Sequence, residues 1–161
     1  MTNIIKVTLT TLNEDGSFLE INFNIQNAIK FSILRQNFKI VDLSKITDTS
    51  LLSYLFKDCK KLEQVIFPPT LKEIDTNCFH NCFSLVKCDF SNTNLEILNN
   101  GVFAYCNNLQ ELIFPKTLKY IGTNCFNDCF YLGKVYFEGN YSPDFDLESL
   151  NNDEKYSTIS G

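Results

Sequence analysis

Apolar residues recur along most of the chain with a period of 23 or 24 residues. Read from Leu62, one period is L-x-x-V-x-F-P-x-x-L-x-x-I-x-x-x-x-F-x-x-C. Two columns keep one residue type through four periods: Phe56, Phe79, Phe103 and Phe126 in the first, and Cys59, Cys82, Cys106 and Cys129 in the second. A fixed period of this length predicts a solenoid, in which each coil buries its apolar side by stacking on its neighbours.

Each period predicts a strand, a corner and a short helix. Val65 and Phe67 lie two residues apart, so both side chains point from the same face of a strand. Pro68 ends that strand, because proline cannot donate a main-chain hydrogen bond to a neighbouring strand. Phe79 and Cys82 have the i, i+3 spacing that places both side chains on one face of a helix of one or two turns. The chain is therefore predicted to be an α/β repeat solenoid.

A different pattern precedes the repeat. Apolar and polar residues alternate through residues 4–12 and 17–25, and the segment between them contains Asp15-Gly16. Alternation of period two on both sides of an Asp-Gly turn predicts a β-hairpin. Residues 27–37 carry apolar residues after Asn27, which can cap a helix, and predict a short helix.

These patterns divide the chain into three parts. The repeat starts in degenerate form at Phe38 and fades after Phe137, and the residues beyond are rich in Asn, Ser, Asp and Glu. We predict an N-terminal hairpin and helix cap over residues 1–37, a solenoid of about five coils over 38–138, and an acidic polar tail over 139–161.

Charge and composition narrow the classes of function. The chain has 161 residues with 14 basic and 19 acidic side chains, a net charge of −5 that predicts no nucleic-acid partner. No apolar run is long enough to span a bilayer, which predicts no membrane insertion. The first residues lack a basic segment followed by an apolar one, so we expect no secretory signal. The seven cysteines are then expected to be reduced thiols in a cytoplasmic protein.

The segment from Cys78 to Cys82 contains two thiols and His80, the one histidine of the chain, which raises the alternative of a zinc site. The repeat offers another interpretation, because Cys82 belongs to the cysteine column and Cys78 occupies a column shared with Leu55 and Val102. We therefore predict core cysteines, with no metal and no cofactor. No catalytic triad, phosphate-binding loop or carboxylate pair stands out, and we predict that the chain is not an enzyme.

The repeat resembles the BspA-like class of leucine-rich repeats, and Leu109 to Cys129 carries its pattern almost in full. The resemblance covers about residues 38–137 and recurs in register. It implies a right-handed solenoid with short parallel strands on a concave face, short helices on a convex face, and a protein-binding role. Bacterial members are surface adhesins, and the expected lack of an export signal departs from them. Residues 3–37 more weakly resemble the start of elongin C-like BTB/POZ folds.

The outward strand positions are the candidate binding surface. Ile66, Ile113 and Tyr136 are apolar or aromatic at positions where solvent would be expected. Such residues surrounded by charges are typical of a recognition surface, although β-branched and aromatic residues also simply suit exposed strands. The predicted concave-face residues are Gln64, Ile66, Lys87, Asp89, Glu111, Ile113, Lys134 and Tyr136. In the tail, a docking segment is predicted with Tyr141, Phe145 and Tyr156 as contact residues.

Four functions are consistent with these predictions. The first is a non-enzymatic protein-interaction scaffold that uses the concave face and the tail. The second is a structural subunit of a large intracellular assembly, cytoskeletal or ciliary. The third, which depends on the BTB-like resemblance, is a substrate adaptor for ubiquitin transfer, and the fourth is a surface adhesin.

Overall fold

The computed structural model describes residues 35–139 and, for the main chain alone, four further strands. The part described is a parallel β-solenoid that contains strands, one 3₁₀ turn at Arg35–Asn37, and no α-helix. The strands are β1 (Val7–Leu12), β2 (Phe18–Phe23), β3 (Ile40–Asp42), β4 (Ser50–Leu51), β5 (Gln64–Ile66), β6 (Glu73–Ile74), β7 (Lys87–Asp89), β8 (Ile97–Leu98), β9 (Glu111–Phe114), β10 (Tyr120–Ile121), β11 (Lys134–Phe137), β12 (Asp144–Phe145) and β13 (Ser157–Ser160).

Each coil contributes one strand to each of two sides of the solenoid. On one side the sheet order is β12-β10-β8-β6-β4, a continuous parallel ladder. On the other side the strands fall into two separate sheets, β2-β1-β3-β5 and β13-β11-β9-β7. The strand columns predicted from the repeat are confirmed, because Val65 lies opposite Val41 and Leu112 lies opposite Cys88.

The predicted N-terminal hairpin is present. β1 and β2 pair antiparallel from Val7 opposite Phe23 to Leu12 opposite Phe18. β1 also pairs antiparallel with β3, with Thr10 opposite Asp42. The hairpin therefore covers the edge of the first coil, which would otherwise expose unpaired main-chain groups. Most of the predicted helix over 27–37 lies outside the described residues, and the resemblance to BTB/POZ folds has no support.

Stacked phenylalanine rings form the centre of the core. In the column that begins with Phe56, successive ring centroids are 5.2, 5.5 and 6.3 Å apart, and the rings lie within 13° of parallel. A second column stacks Phe90, Phe114 and Phe137 at 5.6 and 5.5 Å. Burying one such ring contributes roughly 1.5–3 kcal/mol, so the columns explain why the sequence keeps Phe at one position per coil.

The predicted convex-side helices are wrong. Each phenylalanine of the first column is flanked, two residues before and two after, by a residue with positive φ. The residues before it are Tyr54, Asn77, Gly101 and Asn124, and those after it are Asp58, Asn81, Tyr105 and Asp128. A right-handed helix cannot contain these left-handed residues, which Gly, Asn and Asp adopt more easily than other types. The segment instead forms successive turns, and its amides bond to the next coil: Phe56 N–H donates to the Cys78 carbonyl at 2.8 Å.

Two strands lie within the segment predicted as a tail. β12 pairs in parallel with β10, with Phe145 opposite Ile121. β13 pairs in parallel with β11, with Ser160 opposite Phe137. Both ladders of the solenoid therefore continue beyond residue 138.

Candidate functional site

The eight predicted concave-face residues lie together on one surface. They alternate along β5, β7, β9 and β11 with the buried residues Val65, Cys88, Leu112 and Val135. We call this surface, together with the outward residues of β3, the strand face; its members are Ile40, Asp42, Gln64, Ile66, Lys87, Asp89, Glu111, Ile113, Lys134 and Tyr136. The repeat thus located these positions, and their role in binding stays a prediction.

The strand face carries two columns of different character. In one, Glu111 lies between Lys87 and Lys134 in register. Lys87 Nζ is 2.6 Å from Glu111 Oε1, and this hydrogen bond raises the pKa of Lys87. In the other column, Ile113 lies between Asp89 and Tyr136. Charged side chains therefore lie beside half-buried apolar ones, a mixture that protein interfaces also contain.

The hydrogen-bonded ladder of the strand face is interrupted between β5 and β7. At the other junctions, one carbonyl accepts two amides of the next coil. The Lys39 carbonyl accepts from the amides of Glu63 and Gln64 at 2.8 and 3.1 Å. The Val86 carbonyl accepts from the amides of Gln110 and Glu111 at 2.8 and 3.3 Å. The Gln110 carbonyl accepts from the amides of Gly133 and Lys134 at 3.2 and 3.1 Å. Among the described residues, no corresponding bond joins Val86 or Lys87 to the carbonyl of Glu63, and β5 and β7 do not pair.

The interruption coincides with a competing hydrogen bond. The Ser91 amide donates to Asp89 Oδ1 at 3.0 Å, within its own coil. In the same column of the repeat, the Glu138 amide instead donates to the Phe114 carbonyl of the preceding coil at 3.0 Å. A short carboxylate side chain offers nearby amides a local partner and so competes with a sheet ladder. An amide at this position is not required for a closed ladder, because Pro68 and Pro115 occupy the same column at closed junctions and have no N–H.

A groove follows the beginnings of the strands. A cleft of about 420 Å³ at the interruption is lined by Ile40, Glu63, Gln64, Val65, Val86, Lys87 and Asp89. An adjoining cleft of about 530 Å³ is lined by Val86, Lys87, Gln110, Glu111, Tyr131, Gly133 and Lys134. Val86 and Lys87 line both, so the two clefts lie on either side of these residues. The sequence did not reveal two residues at the rim of these clefts, Val86 and Tyr131, which are 43% and 66% exposed. Val86 could have been noticed, because it is an apolar residue in an otherwise polar column of the repeat.

The cysteines are core residues, as predicted. All seven are buried free thiols. Three thiols of the cysteine column each donate to a carbonyl of the preceding coil at 3.1–3.2 Å: Cys82 to Phe56, Cys106 to Phe79 and Cys129 to Phe103. Burial raises the pKa of Cys78, Cys82, Cys88 and Cys129, and raises that of Cys125 to about 12. Such thiols are poor nucleophiles and poor metal ligands, because both roles need the thiolate.

His80 lies at the turn side of the solenoid. Burial, and secondarily the charge of Lys57, lowers its pKa, and its ring centroid is 5.1 Å from that of Tyr105. The part of the chain that the structure describes contains no group of three or more His, Cys, Asp or Glu residues suited to a metal ion, and no helix long and apolar enough to cross a membrane. Of the predicted tail contacts, Tyr141 and Tyr156 lie outside the described residues, and Phe145 is described only as main chain in β12.

Comparison with known families identifies the repeat. The model of the BspA type leucine rich repeat region matches residues 30–152 in six copies. The chain belongs to the BspA-type leucine-rich-repeat family. A leucine-rich repeat protein from Bacteroides ovatus is similar in structure, with a TM-score of 0.56, 25% identity, and coverage of 69% of this chain and 31% of that one.

A leucine rich cell surface protein from Faecalibacterium prausnitzii matches more distantly, with a TM-score of 0.43, 18% identity, and coverage of 92% of this chain and 40% of that one. This BspA-type chain therefore spans less than half the length of either neighbour. No curated protein matches it. Leucine-rich-repeat domains generally mediate protein–protein interactions.

Proposed function

We propose that this BspA-type chain is a non-enzymatic interaction module that binds a protein partner through the strand face. The observation that supports it most is the grouping of charged and apolar side chains on that face, where Ile66, the last residue of β5, is 41% exposed. An apolar side chain that is already exposed on a strand loses little conformational freedom when it binds a partner. The family membership agrees with such a role.

Affinity purification from the native cell tests this proposal with matched variants. Ile66→Lys places a charge on the strand face, and Leu52→Lys and Tyr120→Lys place the same charge at residues of similar exposure, 46% and 44%, on other parts of the surface. We expect Ile66→Lys to lose the partner and both controls to retain it. Retention by all three variants would contradict the proposal.

A surface-adhesin role is the second candidate, and the family as a whole favours it. The state of the thiols does not separate the two candidates, because buried thiols with raised pKa are expected to stay reduced inside or outside a cell. Labelling of intact cells with an antibody against the chain does separate them. Labelling without permeabilisation is expected of an adhesin, whereas a cytoplasmic, cytoskeletal or ciliary location, which stays a prediction, requires permeabilisation.

Docking through the tail also stays a prediction, and the structure changes how it is tested. Deleting residues 139–161 would remove β12 and β13 and expose the edges of β10 and β11. Deletion would therefore alter stability as well as any contact. Substituting Tyr141 and Tyr156 by Ser removes the predicted contacts while β12 and β13 are kept, and loss of the partner is the expected result.

A further inference from the structure

Gly133 stands at a position where the other coils carry side chains. The same column holds Lys39, Glu63, Val86 and Gln110 in the preceding coils. The backbone of Gly133 does not require glycine, because its φ lies outside the left-handed region. Apart from its neighbours in the chain, the described residues would offer a Cβ at Gly133 a single atom within 4 Å, the Tyr131 carbonyl oxygen at 3.9 Å. Neither conformation nor lack of space in the described part of the chain therefore explains the glycine.

The missing side chain leaves room in a surface cleft. The cleft of about 530 Å³ has Gly133 in its lining, with Tyr131 and Lys134 of the same coil and Val86 of an earlier one. The strands on which it lies form a closed ladder, because the amides of Gly133 and Lys134 donate to the Gln110 carbonyl at 3.2 and 3.1 Å. A ligand in the cleft therefore displaces no strand. A glycine next to a strand is typical of a place where another molecule approaches the backbone closely.

Two residues give the lining of this cleft an apolar part. Val86 and Tyr131 are 43% and 66% exposed, so both have surface left to bury. Burial of apolar surface is the main favourable contribution in most protein association. A volume of about 530 Å³ is enough to take an apolar side chain of a partner. Side chains that fill a cleft of this kind are typical of the residues that dominate the affinity of a protein interface.

The charges of the lining are not balanced. Lys87 Nζ is 2.6 Å from Glu111 Oε1. Lys134 lies in register with Glu111 from the other side, and it forms no ion pair with a described residue. The two ammonium groups and the one carboxylate sum to +1, in a chain whose net charge is −5. The excess ammonium favours a carboxylate on the partner.

We propose that the cleft around Gly133 is the docking site for a segment of a protein partner in which an apolar side chain is followed by an acidic one. The apolar side chain occupies the space left by Gly133 and contacts Val86 and Tyr131, and the carboxylate contacts Lys134. The proposal rests on the proposed function, since residues of the strand face line the cleft. It adds the chemistry that the partner must supply.

Nuclear magnetic resonance of the ¹⁵N-labelled full chain tests the proposal with a defined probe. The probe is the capped tetrapeptide Gly-Leu-Asp-Gly, compared with Gly-Ala-Asp-Gly and Gly-Leu-Lys-Gly. We expect amide shifts at Val86, Gly133 and Lys134, and none at Tyr120, which is similarly exposed on the other ladder. Each altered peptide should bind roughly fivefold more weakly or worse, because it loses apolar contact or carries the wrong charge.

Gly133→Leu separates binding from folding. The leucine side chain fills the cleft, so the peptide should no longer shift the Val86 amide. The thermal midpoint should stay the same or rise, because the position accepts an L residue and leucine restricts the unfolded chain more than glycine does. Asn92→Leu adds the same side chain at another exposed position, and this matched control should bind the peptide as the unsubstituted chain does.

Lys134→Gln is a second variant that removes only a charge. It should bind Gly-Leu-Asp-Gly and Gly-Leu-Lys-Gly about equally, whereas the unsubstituted chain prefers the acidic peptide. Undiminished binding of the acidic peptide by Gly133→Leu would overturn the proposal. The absence of shifts at residues 86, 133 and 134 at millimolar peptide would also overturn it, and is the result expected if a second copy or another part of the chain fills the cleft. If Ile66→Lys still loses the native partner in that case, the cleft fails while the proposed function stands.

Discussion

The junction between β9 and β11 and the junction between β5 and β7 join coils of the same design. In each, the first coil ends its strand with Phe-Pro, at Phe114-Pro115 and at Phe67-Pro68. Across the first junction the amides of Gly133, Lys134 and Glu138 all bond to the preceding coil, and the rings of Phe114 and Phe137 stack at 5.5 Å. Across the second these bonds are missing, and Phe67 and Phe90 meet at 4.3 Å with their rings tilted by 34°.

The other sides of the open junction are intact. β6 and β8 pair in parallel, the Phe79 amide donates to the Val102 carbonyl at 2.9 Å, and the Cys106 thiol donates to the Phe79 carbonyl at 3.1 Å. Comparison of the two junctions shows that the core columns and the turns hold the coils together without help from the strand face. The strand-face ladder can therefore be open at one junction while the coils stay stacked.

The largest loss of stability is expected from a substitution in the phenylalanine column, which crosses the closed and the open junctions alike. Phe103 is fully buried and stacks between Phe79 and Phe126. Phe103→Ala should lower the free energy of unfolding by about 3–5 kcal/mol, because it removes the ring and leaves a cavity. Urea unfolding followed by circular dichroism measures this change. A loss of less than about 1 kcal/mol would show that the column is not what holds the coils together.

Alkaline pH should lower the free energy of unfolding through the buried thiols of the cysteine column, which lie at closed and open junctions alike. Burial raises the pKa of Cys82 and Cys129 in this column from the ordinary value of 9.0, so the unfolded chain ionises first. Stability is therefore fully present below about pH 9 and falls above it, by up to about 1.4 kcal/mol per pH unit for each such thiol. Urea midpoints at pH 8 and pH 10 under reducing conditions should show the fall. Cys82→Ala should have a shallower dependence, and an unchanged slope would contradict the assignment.

A pair of proline substitutions compares the two kinds of junction directly. The Gln110 amide bonds to the Val86 carbonyl at 2.8 Å, whereas the Val86 amide has no corresponding bond to Glu63. Residues 86 and 110 occupy the same column of the repeat, so the steric cost of a proline ring should be the same at both. Only Gln110→Pro also removes a hydrogen bond. We expect Gln110→Pro to be less stable than Val86→Pro by about 1 kcal/mol. Equal destabilisation, measured by thermal unfolding, would count against an open junction.

The smallest effect is expected from the ion pair across the closed ladder between β7 and β9. The side chains of Lys87 and Glu111 are 48% and 24% exposed, so solvent screens their attraction. A double-mutant cycle of Lys87→Ala and Glu111→Ala should give a coupling near the limit of detection that disappears at high salt. A coupling that persists in salt would mean that the pair helps to keep this ladder closed.

The features that the sequence predicted correctly are those that recur in every coil. The period identified the core columns, the strand positions and the outward residues such as Ile66 and Ile113, because one strand per coil imposes one pattern per coil. The helices were wrong because the i, i+3 spacing of Phe79 and Cys82 also fits two successive turns. Asn77, Gly101 and Asn124 in one column were the signal for positive φ.

The open junction could not be predicted from the repeat. Asp42 forms the same turn with the Ser44 amide, at 2.8 Å, but in the first coil, where β1 rather than a preceding coil pairs with β3. The same local turn therefore occurs in one coil beside a paired strand and in another beside an unpaired one. That difference depends on which neighbour each coil meets, and a single-coil pattern does not contain it.

Hydrogen exchange at Val86 and Lys87 tests the central claim most directly, with Gly133 and Lys134 as the internal standard in the same molecule. We expect the first two amides to exchange faster than the second two by about tenfold or more, because only the second two have hydrogen bonds to break. Equal protection of all four amides in the unsubstituted chain would contradict the open junction.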